Sequence, residues 1–402
     1  MHHRWGPSGL GPGLVVVHHT MVARGNGVVG AELPYPLNVD PVRPDYSGAN
    51  VIGIVPALLG RRPAPWLPSV VAGARATVLL VLDGLGWDAL IRHPERMPEL
   101  GRLEGGPITT VVPSTTPAAL TSITTGLAPS RHGITGFRIR IDNAVLNAIR
   151  WQLADGKRPP EPSAIQRHEP FGGRAVPVVT KAAFRTTGFT AAHLRGADFR
   201  GWQTTASLVE HVRRLVGAGN RLVYAYYPGV DEIAHAYGLE PPFYSAELAF
   251  ADGLVGALLD AIPDDVTLLV TADHGQVHVG PAGWVGLEPL DSLVAVYSGD
   301  GRFRQLHARR GAAPELLVEA EACHGGRAWV FSREQLLDEG WLGPDPLPAT
   351  RRRVGDVILA ARTGIGFVDP TLPYETELIS AHGSLTPMEM EVPLLAGRGR
   401  GV

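Results

Sequence analysis

Three apolar runs, each leading into an aspartate, most constrain the fold of this chain. They are TVLLVLDG from Thr77, RLVYAYYPGVD from Arg221 and VTLLVTADHG from Val266. Continuous apolar runs of this length are typical of strands buried on both faces of a parallel sheet. Helix candidates at residues 207–216 and 243–261 precede the second and third strands. This order predicts an α/β fold with a doubly wound, mostly parallel sheet flanked by helices.

The domain organisation follows from where this alternation breaks. Residues 137–175 and 276–350 are rich in Gly, Pro and Arg, and we expect them to be inserted cap segments that contribute substrate specificity. Residues 1–48 are rich in Gly, Pro and His without periodicity, which predicts a loose N-terminal arm. We therefore expect residues 49–402 to form one catalytic domain that carries these insertions.

Charge and composition narrow the class of partner. The net charge of -3 shows no excess of basic residues, so we expect no nucleic-acid polymer as partner. No apolar run reaches the roughly 18 to 20 residues of a membrane span, so we expect no membrane partner and a cytoplasmic location. The single cysteine, Cys323, excludes a Cys-rich zinc site, and His and carboxylates must therefore bind any metal. The oligomeric state is not indicated.

Carboxylates and histidines follow the three predicted strands, at the edge where open α/β sheets bind ligands. Asp83 precedes a glycine, and alone it is more often a turn former than a ligand. Asp231 and His235 are four residues apart and would lie on one face of a helix. Asp273 and His274 precede a glycine that permits a sharp turn, which is a stronger indication of a metal site.

A candidate nucleophile lies in VVPSTTPAALTSITTG at residues 111–126. Pro113 is predicted to end a short strand, hydroxyls at 114–116 to begin a helix, and Gly126 to end it. An ordinary hydroxyl N-cap is the common explanation of such residues. However, a helix N-terminus also presents free N–H groups and the positive end of the helix dipole, which favour phosphate.

These ordered motifs, spread over residues 77–395, resemble the alkaline phosphatase superfamily and, within it, the type I phosphodiesterase/nucleotide pyrophosphatase family. The likeness places the nucleophile at Thr116, with Thr115 as the neighbouring alternative. The late His-Gly motif of the family matches His382, which the residues alone would not single out. By this resemblance one metal ion is bound by Asp231, His235 and His382, and the other by Asp83, Asp273, His274 and the Thr116 oxygen.

The resemblance implies metal-dependent hydrolysis of phosphodiester or nucleotide pyrophosphate bonds through a phosphothreonine. The two divalent ions are expected to be Zn²⁺, because mixed imidazole and carboxylate sets suit zinc and are poor for magnesium. The expected partner is a small phosphoester, with nucleotides among the candidates. Ala119 stands where diesterases of the family usually carry an Asn that binds phosphate, which weakens the assignment to nucleotide diesters.

Several alternatives stay open. Phosphomonoester or phosphonate hydrolysis would use the same two-metal site, and a metal-binding sensor without turnover is the rival from another class. A sulfatase is disfavoured because Thr116 is neither Cys nor Ser. Tyr226 and Tyr227 would stack on a base or aryl leaving group, or simply pack on the strand face.

Overall fold

The computed structural model describes residues 40–60 and 64–401. Most of the predicted N-terminal arm, residues 1–39, lies outside the described residues. The part that is described bonds to the C-terminal half of the chain. Val42 N donates to Leu385 O at 2.8 Å, and the Tyr46 hydroxyl donates to Trp341 O at 2.9 Å.

The helices of the described chain include those predicted before and after the buried strands. Among the described residues, no helix is both long enough and apolar enough to cross a membrane. The α-helices are α1 Val51–Leu58, α2 Trp87–Arg92, α3 Thr116–Thr125, α4 Pro129–His132, α5 Pro162–Ile165, α6 Gly188–His193, α7 Thr205–Gly217, α8 Gly229–Tyr237, α9 Phe243–Ala261, α10 Ala313–His324, α11 Arg333–Asp338, α12 Pro348–Arg353 and α13 Pro387–Met390.

Within the described residues, the strands form two seven-stranded sheets and two short pairs. They are β1 Ala76–Leu82, β2 Glu104–Thr109, β3 Arg138–Ile141, β4 Ala144–Asn147, β5 Gln152–Leu153, β6 Pro177–Lys181, β7 Asp198–Trp202, β8 Leu222–Tyr227, β9 Val266–Thr271, β10 Val277–His278, β11 Trp284–Val285, β12 Val294–Gly299, β13 Phe303–Ala308, β14 Ala328–Ser332, β15 Val357–Ala361, β16 Gly366–Phe367, β17 Ser380–Ala381 and β18 Glu391–Arg398.

The first sheet has the order β2-β18-β9-β1-β8-β6-β7. Strands β9, β1, β8, β6 and β7 run parallel, and β18 is antiparallel to both β9 and β2. Every residue of β1, β8 and β9 is buried, as expected of strands covered on both faces. The predicted α/β fold with a mostly parallel sheet flanked by helices is confirmed.

The register of this sheet brings three chain turns to one edge. Val81 of β1 lies opposite Tyr226 of β8 and Thr271 of β9, so the three central strands end side by side. Helix α8 begins directly after β8, and α3 ends at Gly126, whose φ of 69° is left-handed. The strand predicted to end at Pro113 stops earlier, at the end of β2, because the chain beyond it bonds to loops and side chains.

The second sheet was not predicted. It is antiparallel, with the order β14-β15-β13-β12-β3-β4-β5, and most of its strands come from the two stretches assigned to insertions. Strand β13 carries Arg304, Gln305 and His307, all buried, whereas polar side chains in a sequence suggest a solvated loop. Hydrophobic periodicity cannot detect a strand whose buried positions are charged.

A buried ion pair fastens the second sheet to the edge of the first. Arg302 forms two hydrogen bonds with the Glu389 carboxylate, at 2.8 and 2.9 Å, and both side chains are fully buried. Glu389 also accepts from Ser384 N at 2.9 Å, and its carbonyl accepts from Gly275 N at 3.0 Å. These bonds fix the chain around His382 against the turn after β9.

Candidate active site

The three predicted aspartates meet at the carboxyl edge of the first sheet. Asp83 directly follows β1, Asp273 lies two residues beyond β9, and Asp231 is in the first turn of α8. Asp231 N donates to Asp83 O at 3.0 Å, and Gly84 N donates to an Asp273 carboxylate oxygen at 3.1 Å. The side chains of Asp83 and Asp273 are 2% and 0% exposed, which leaves little water to screen their charges.

The three predicted histidines share one orientation. Each imidazole places Nδ1 within hydrogen-bond distance of a backbone carbonyl: His235 with Ser380 at 2.7 Å, His274 with Gly275 at 3.0 Å, and His382 with Ser114 at 2.9 Å. Because a carbonyl only accepts, Nδ1 must donate, and the lone pair of a neutral ring is then on Nε2, where it can accept a hydrogen bond or bind a metal ion. Metal-binding histidines are typically held in this way.

Five of the six side chains form two overlapping groups, and the sixth, Asp273, has its Oδ2 3.5 Å from His274 Nε2. The ligand atoms of Asp231, His235 and His382 lie within 4.8 Å of one another, and so do those of Asp83, Asp231 and His274. The rings of His274 and His382 stack with centroids 3.6 Å apart, which joins the groups. The structure thus brings together all the metal ligands named from the sequence.

Two carboxylate oxygens in this cluster are buried without a hydrogen-bond donor. They are Asp83 Oδ1 and Asp273 Oδ2, at 3.4 and 3.5 Å from His274 Nε2. A buried carboxylate oxygen without a partner is unfavourable, and a coordinated cation removes that cost. Imidazole and carboxylate donors around such oxygens fit divalent metal ions.

Burial and mutual repulsion shift the protonation of the cluster. The pKa of Asp83 is raised well above its usual range by burial and by the charges of Asp273 and Asp231. Burial likewise raises the pKa of Asp273, although neighbouring His274 opposes the shift. The pKa of His382 is lowered well below its usual range by burial and by His274 and His235. Without a cation, Asp83, Asp273 and His382 therefore favour their neutral forms.

The hydroxyl of Thr116 lies beside this cluster. Thr116 is the first residue of α3, and its Oγ1 is 3.0 Å from His274 Nε2. Thr115 is the N-cap residue, yet its side chain makes no capping hydrogen bond, and its Oγ1 is buried without a partner. The ordinary capping explanation therefore fails for Thr115. Only Thr116 of the two lines the adjacent cavity.

Sequence reasoning missed two side chains that hold the aspartates. The Tyr226 hydroxyl donates to Asp83 Oδ2, a role that neither stacking on a ligand nor packing on the strand face had included. Gln276 donates to Asp231 Oδ1 and accepts from the Ser380 hydroxyl at 2.9 Å. The only sign of this role in the sequence is that Gln276 directly follows the Asp-His-Gly motif.

A cavity of about 320 Å³ opens beside the cluster. Its lining joins residues of the first sheet to residues near the second. The first group includes Asp83, Thr116, Tyr226, Asp231, His235 and His382, and the second includes Phe137, Ile149, Trp284, Asp300, Tyr374 and Glu375. A ligand in this cavity would contact both the cluster and the stretches that we expected to contribute specificity.

Comparison with solved structures identifies the class of fold. Murine ectonucleotide pyrophosphatase/phosphodiesterase 5 matches with a TM-score of 0.61 at 16% identity, over 81% of this chain and 88% of that one. Phosphonoacetate hydrolase from Sinorhizobium meliloti 1021 matches with a TM-score of 0.58 at 18% identity, over 82% and 91%. The chain therefore has the alkaline phosphatase-like fold that the sequence analysis expected.

The type I phosphodiesterase/nucleotide pyrophosphatase family matches residues 77–385, and the chain belongs to that family. GPI ethanolamine phosphate transferase 3 of Schizosaccharomyces pombe is 29% identical over 85 residues, 21% of this chain and 9% of that protein. Its catalytic-subunit counterpart from Mus musculus is 23% identical over 280 residues, 61% of this chain and 23% of that protein. The chain thus spans less than a quarter of either relative. Family membership supports a phosphoester hydrolase.

The repulsion within the cluster predicts how the metal-free protein responds to pH. Because the pKa of Asp83 is raised on folding, the folded chain holds this proton more tightly than the unfolded chain. That stability is lost as pH rises through the folded pKa, so the melting temperature of the wild type should fall relative to that of Asp83→Asn as pH rises above the usual range of a carboxyl group. At such a pH, Asp83→Asn should raise the metal-free melting temperature by about 2 to 4 °C.

Adding zinc should make the wild type melt at a higher temperature than Asp83→Asn, because a ligand stabilises the folded state only where its binding site is complete. Calorimetric melting with and without zinc should therefore show a larger zinc-induced rise for the wild type than for Asp83→Asn. Asp252→Asn is the matched control: Asp252 is also buried, accepts from Leu100 N at 2.8 Å, and lies outside the cluster. An equal zinc-induced rise in the wild type and Asp83→Asn would refute the role of Asp83.

Proposed function

We propose that this protein is a metal-dependent hydrolase of phosphodiester or nucleotide pyrophosphate bonds that acts through a phosphothreonine at Thr116. The observation that carries the proposal is the position of the Thr116 hydroxyl, 3.0 Å from His274 Nε2. That nitrogen also faces the two buried carboxylate oxygens that lack donors. A cation bound here would contact both the Thr116 hydroxyl and these two carboxylate oxygens.

Two zinc ions are proposed, with the ligands divided as the family resemblance implies. Asp231, His235 and His382 would bind one ion, and Asp83, Asp273, His274 and Thr116 Oγ1 the other. When bound, such a pair of ions supplies the positive charge that favours an ionised hydroxyl and stabilises the leaving oxygen of an in-line displacement. The carbonyl-fixed rings support metal binding by these histidines because each presents Nε2 to the cluster.

The chemistry of Thr116 then follows in two displacements. Thr116 Oγ1 loses its proton to solvent and forms a bond to phosphorus, while the leaving alcohol departs with the electron pair of its P–O bond and takes up a proton. Water then attacks phosphorus, and Thr116 Oγ1 leaves and recovers a proton. The net reaction consumes one water and yields a phosphomonoester and an alcohol, or two phosphates from a pyrophosphate.

The non-bridging phosphate oxygens need donors other than an asparagine at position 119. Ala119 is fully buried and has no polar side-chain atom. We assign this role to the N-terminus of α3, whose positive end faces the cavity at Thr116 and carries no side-chain cap.

The substrate is proposed to be a small phosphoester. An inactive variant of murine ectonucleotide pyrophosphatase/phosphodiesterase 5 is known in complex with AMP, which supports nucleotides as candidates. The Sinorhizobium meliloti enzyme is known with phosphonoformate and with phosphonoacetate, which favours phosphonates as the second candidate class. The absence of membrane and nucleic-acid-polymer partners and the cytoplasmic location stay predictions.

Replacing the nucleophile should separate catalysis from metal binding. Thr116→Ala should lower kcat by at least about a thousandfold, because the attacking oxygen is lost. Metal content, measured by mass spectrometry, should stay near that of the wild type. Thr125→Ala is the matched control, since Thr125 ends the same helix and donates to Thr121 O at 2.6 Å. Turnover by Thr116→Ala close to that of the wild type would remove Thr116 from the mechanism.

A substrate panel should separate the candidate reactions. With zinc-loaded protein we expect bis-p-nitrophenyl phosphate to be hydrolysed faster than p-nitrophenyl phosphate or phosphonoacetate, with all activity lost on exhaustive chelation and restored by zinc. A preference for the monoester or the phosphonate would replace the diesterase proposal by that alternative. Bound zinc without turnover of any of the three would favour the metal-binding sensor.

A further inference from the structure

A second cleft, of about 730 Å³, lies outside the catalytic cavity and shares no lining residue with it. Pockets of this volume can hold a small molecule. The charged residues of its lining are Asp142 and five arginines, namely Arg140, Arg167, Arg333, Arg352 and Arg353. The whole chain has a net charge of -3, so this cleft is a local concentration of positive charge on a slightly acidic protein.

Most of these arginines are not balanced by a carboxylate. Arg333 is paired, because its Nη2 lies 2.6 Å from an Asp356 oxygen. The other four arginines of the lining form no ion pair with any of the described residues. By contrast, Arg351, which does not line the cleft, pairs with Asp338 at 3.2 Å. Among the described residues of the lining, Asp142 is the only carboxylate, so four unpaired guanidinium groups leave an excess of three positive charges.

The backbone holds one of these guanidinium groups in place. Arg353 Nη1 donates to Gly133 O at 2.7 Å and to Ile165 O at 3.2 Å. A Cβ atom at Gly133, whose φ is 78°, would lie 2.3 Å from Nη1, so the guanidinium fits here because this residue is glycine. Both bonds use Nη1, and Nε and Nη2 have no hydrogen-bond partner in the part of the chain that the structure describes. Arg353 therefore offers fixed, unused donors to a ligand.

The unpaired arginines of the cleft repel one another. Arg167 and Arg352 are exposed, and neither makes a hydrogen bond to a described residue. The pKa of Arg353 is lowered to about 10 by burial and by the charges of Arg167 and Arg352, whereas Asp142 opposes the shift. The group is still charged at neutral pH, so the repulsion is present in the folded protein. An anion bound among these groups would relieve it.

We propose that this cleft is a binding site for a small polyanion, a molecule with three or more negative charges on phosphate or carboxylate groups. The planar guanidinium group donates two parallel hydrogen bonds to either kind of oxyanion. A single phosphate carries at most about two charges near neutral pH and would leave part of the excess unbalanced. The site is separate from the metal cluster, so the proposal does not depend on the reaction catalysed there.

The test measures binding of two fluorescent dyes that share one ring system and differ in charge. They are 8-methoxypyrene-1,3,6-trisulfonate, with three permanent charges, and pyrene-1-sulfonate, with one. Neither contains a phosphoester bond, so neither is consumed by zinc-loaded protein. At constant ionic strength the trisulfonate should bind at least about tenfold more tightly. Equal affinities would show that the ring and not the charge is bound, and would overturn the proposal.

Single substitutions locate the bound trisulfonate. Arg167→Gln and Arg352→Gln should each weaken its binding at least about fivefold, because each removes one charged donor from the cleft. Both side chains are exposed, so the fold should tolerate the changes. The matched control is Arg351→Gln, which removes an arginine from the same helix, α12, outside the cleft and should change the affinity less than about twofold. Unchanged binding in both cleft variants, or an equal loss in Arg351→Gln, would contradict the assignment.

Displacement of the trisulfonate identifies the kind of anion. Inositol 1,4,5-trisphosphate represents a phosphate-bearing ligand and tricarballylate a carboxylate-bearing one, and Thr116→Ala protein prevents hydrolysis of the former. At least one of the two should displace the dye at a concentration about tenfold or more below that of inorganic phosphate. Inorganic phosphate as effective as both would overturn the polyanion site. Ten-residue oligothymidylate more effective than both would replace the small ligand by a nucleic-acid strand.

Discussion

The rest of the structure depends on three carboxylates that the sheet forces together. Asp83, Asp231 and Asp273 sit where three adjacent parallel strands end, and the backbone bonds between their turns prevent them from moving apart. Like charges in a buried position repel strongly because little water screens them. A cation bound between these carboxylates would relieve the repulsion. The three Nε2 atoms and the Thr116 hydroxyl lie around that position.

The elements that meet this need come from distant parts of the chain. The carbonyls that orient the rings belong to Ser114 and Gly275, which are in loops, and to Ser380 in the short strand β17, all outside the central strands. The buried Arg302–Glu389 pair holds those loops and joins the second sheet to the first. Because residues near the second sheet also line the cavity, the same contacts that hold the three histidines place this part of the cavity wall near Thr116.

The central sheet and the predicted ligands were accessible from the sequence because their patterns are local. An apolar run that ends in Asp, the i, i+4 spacing of Asp231 and His235, and a helix that stops at Gly126 each follow from backbone geometry. The second sheet was missed because its strands bury arginines. The bond from Tyr226 to Asp83 depends on a pairing between remote residues that no local pattern records.

The most direct test is anomalous diffraction at the zinc absorption edge from crystals of the zinc-loaded protein. The account predicts two peaks separated by about 3.5 to 4 Å. One should lie among Asp231, His235 and His382, and the other among Asp83, Asp273, His274 and the Thr116 oxygen. A zinc-loaded crystal with no peak within bonding distance of these side chains, or with zinc bound only elsewhere, would contradict the claim that the buried carboxylates form a two-metal centre.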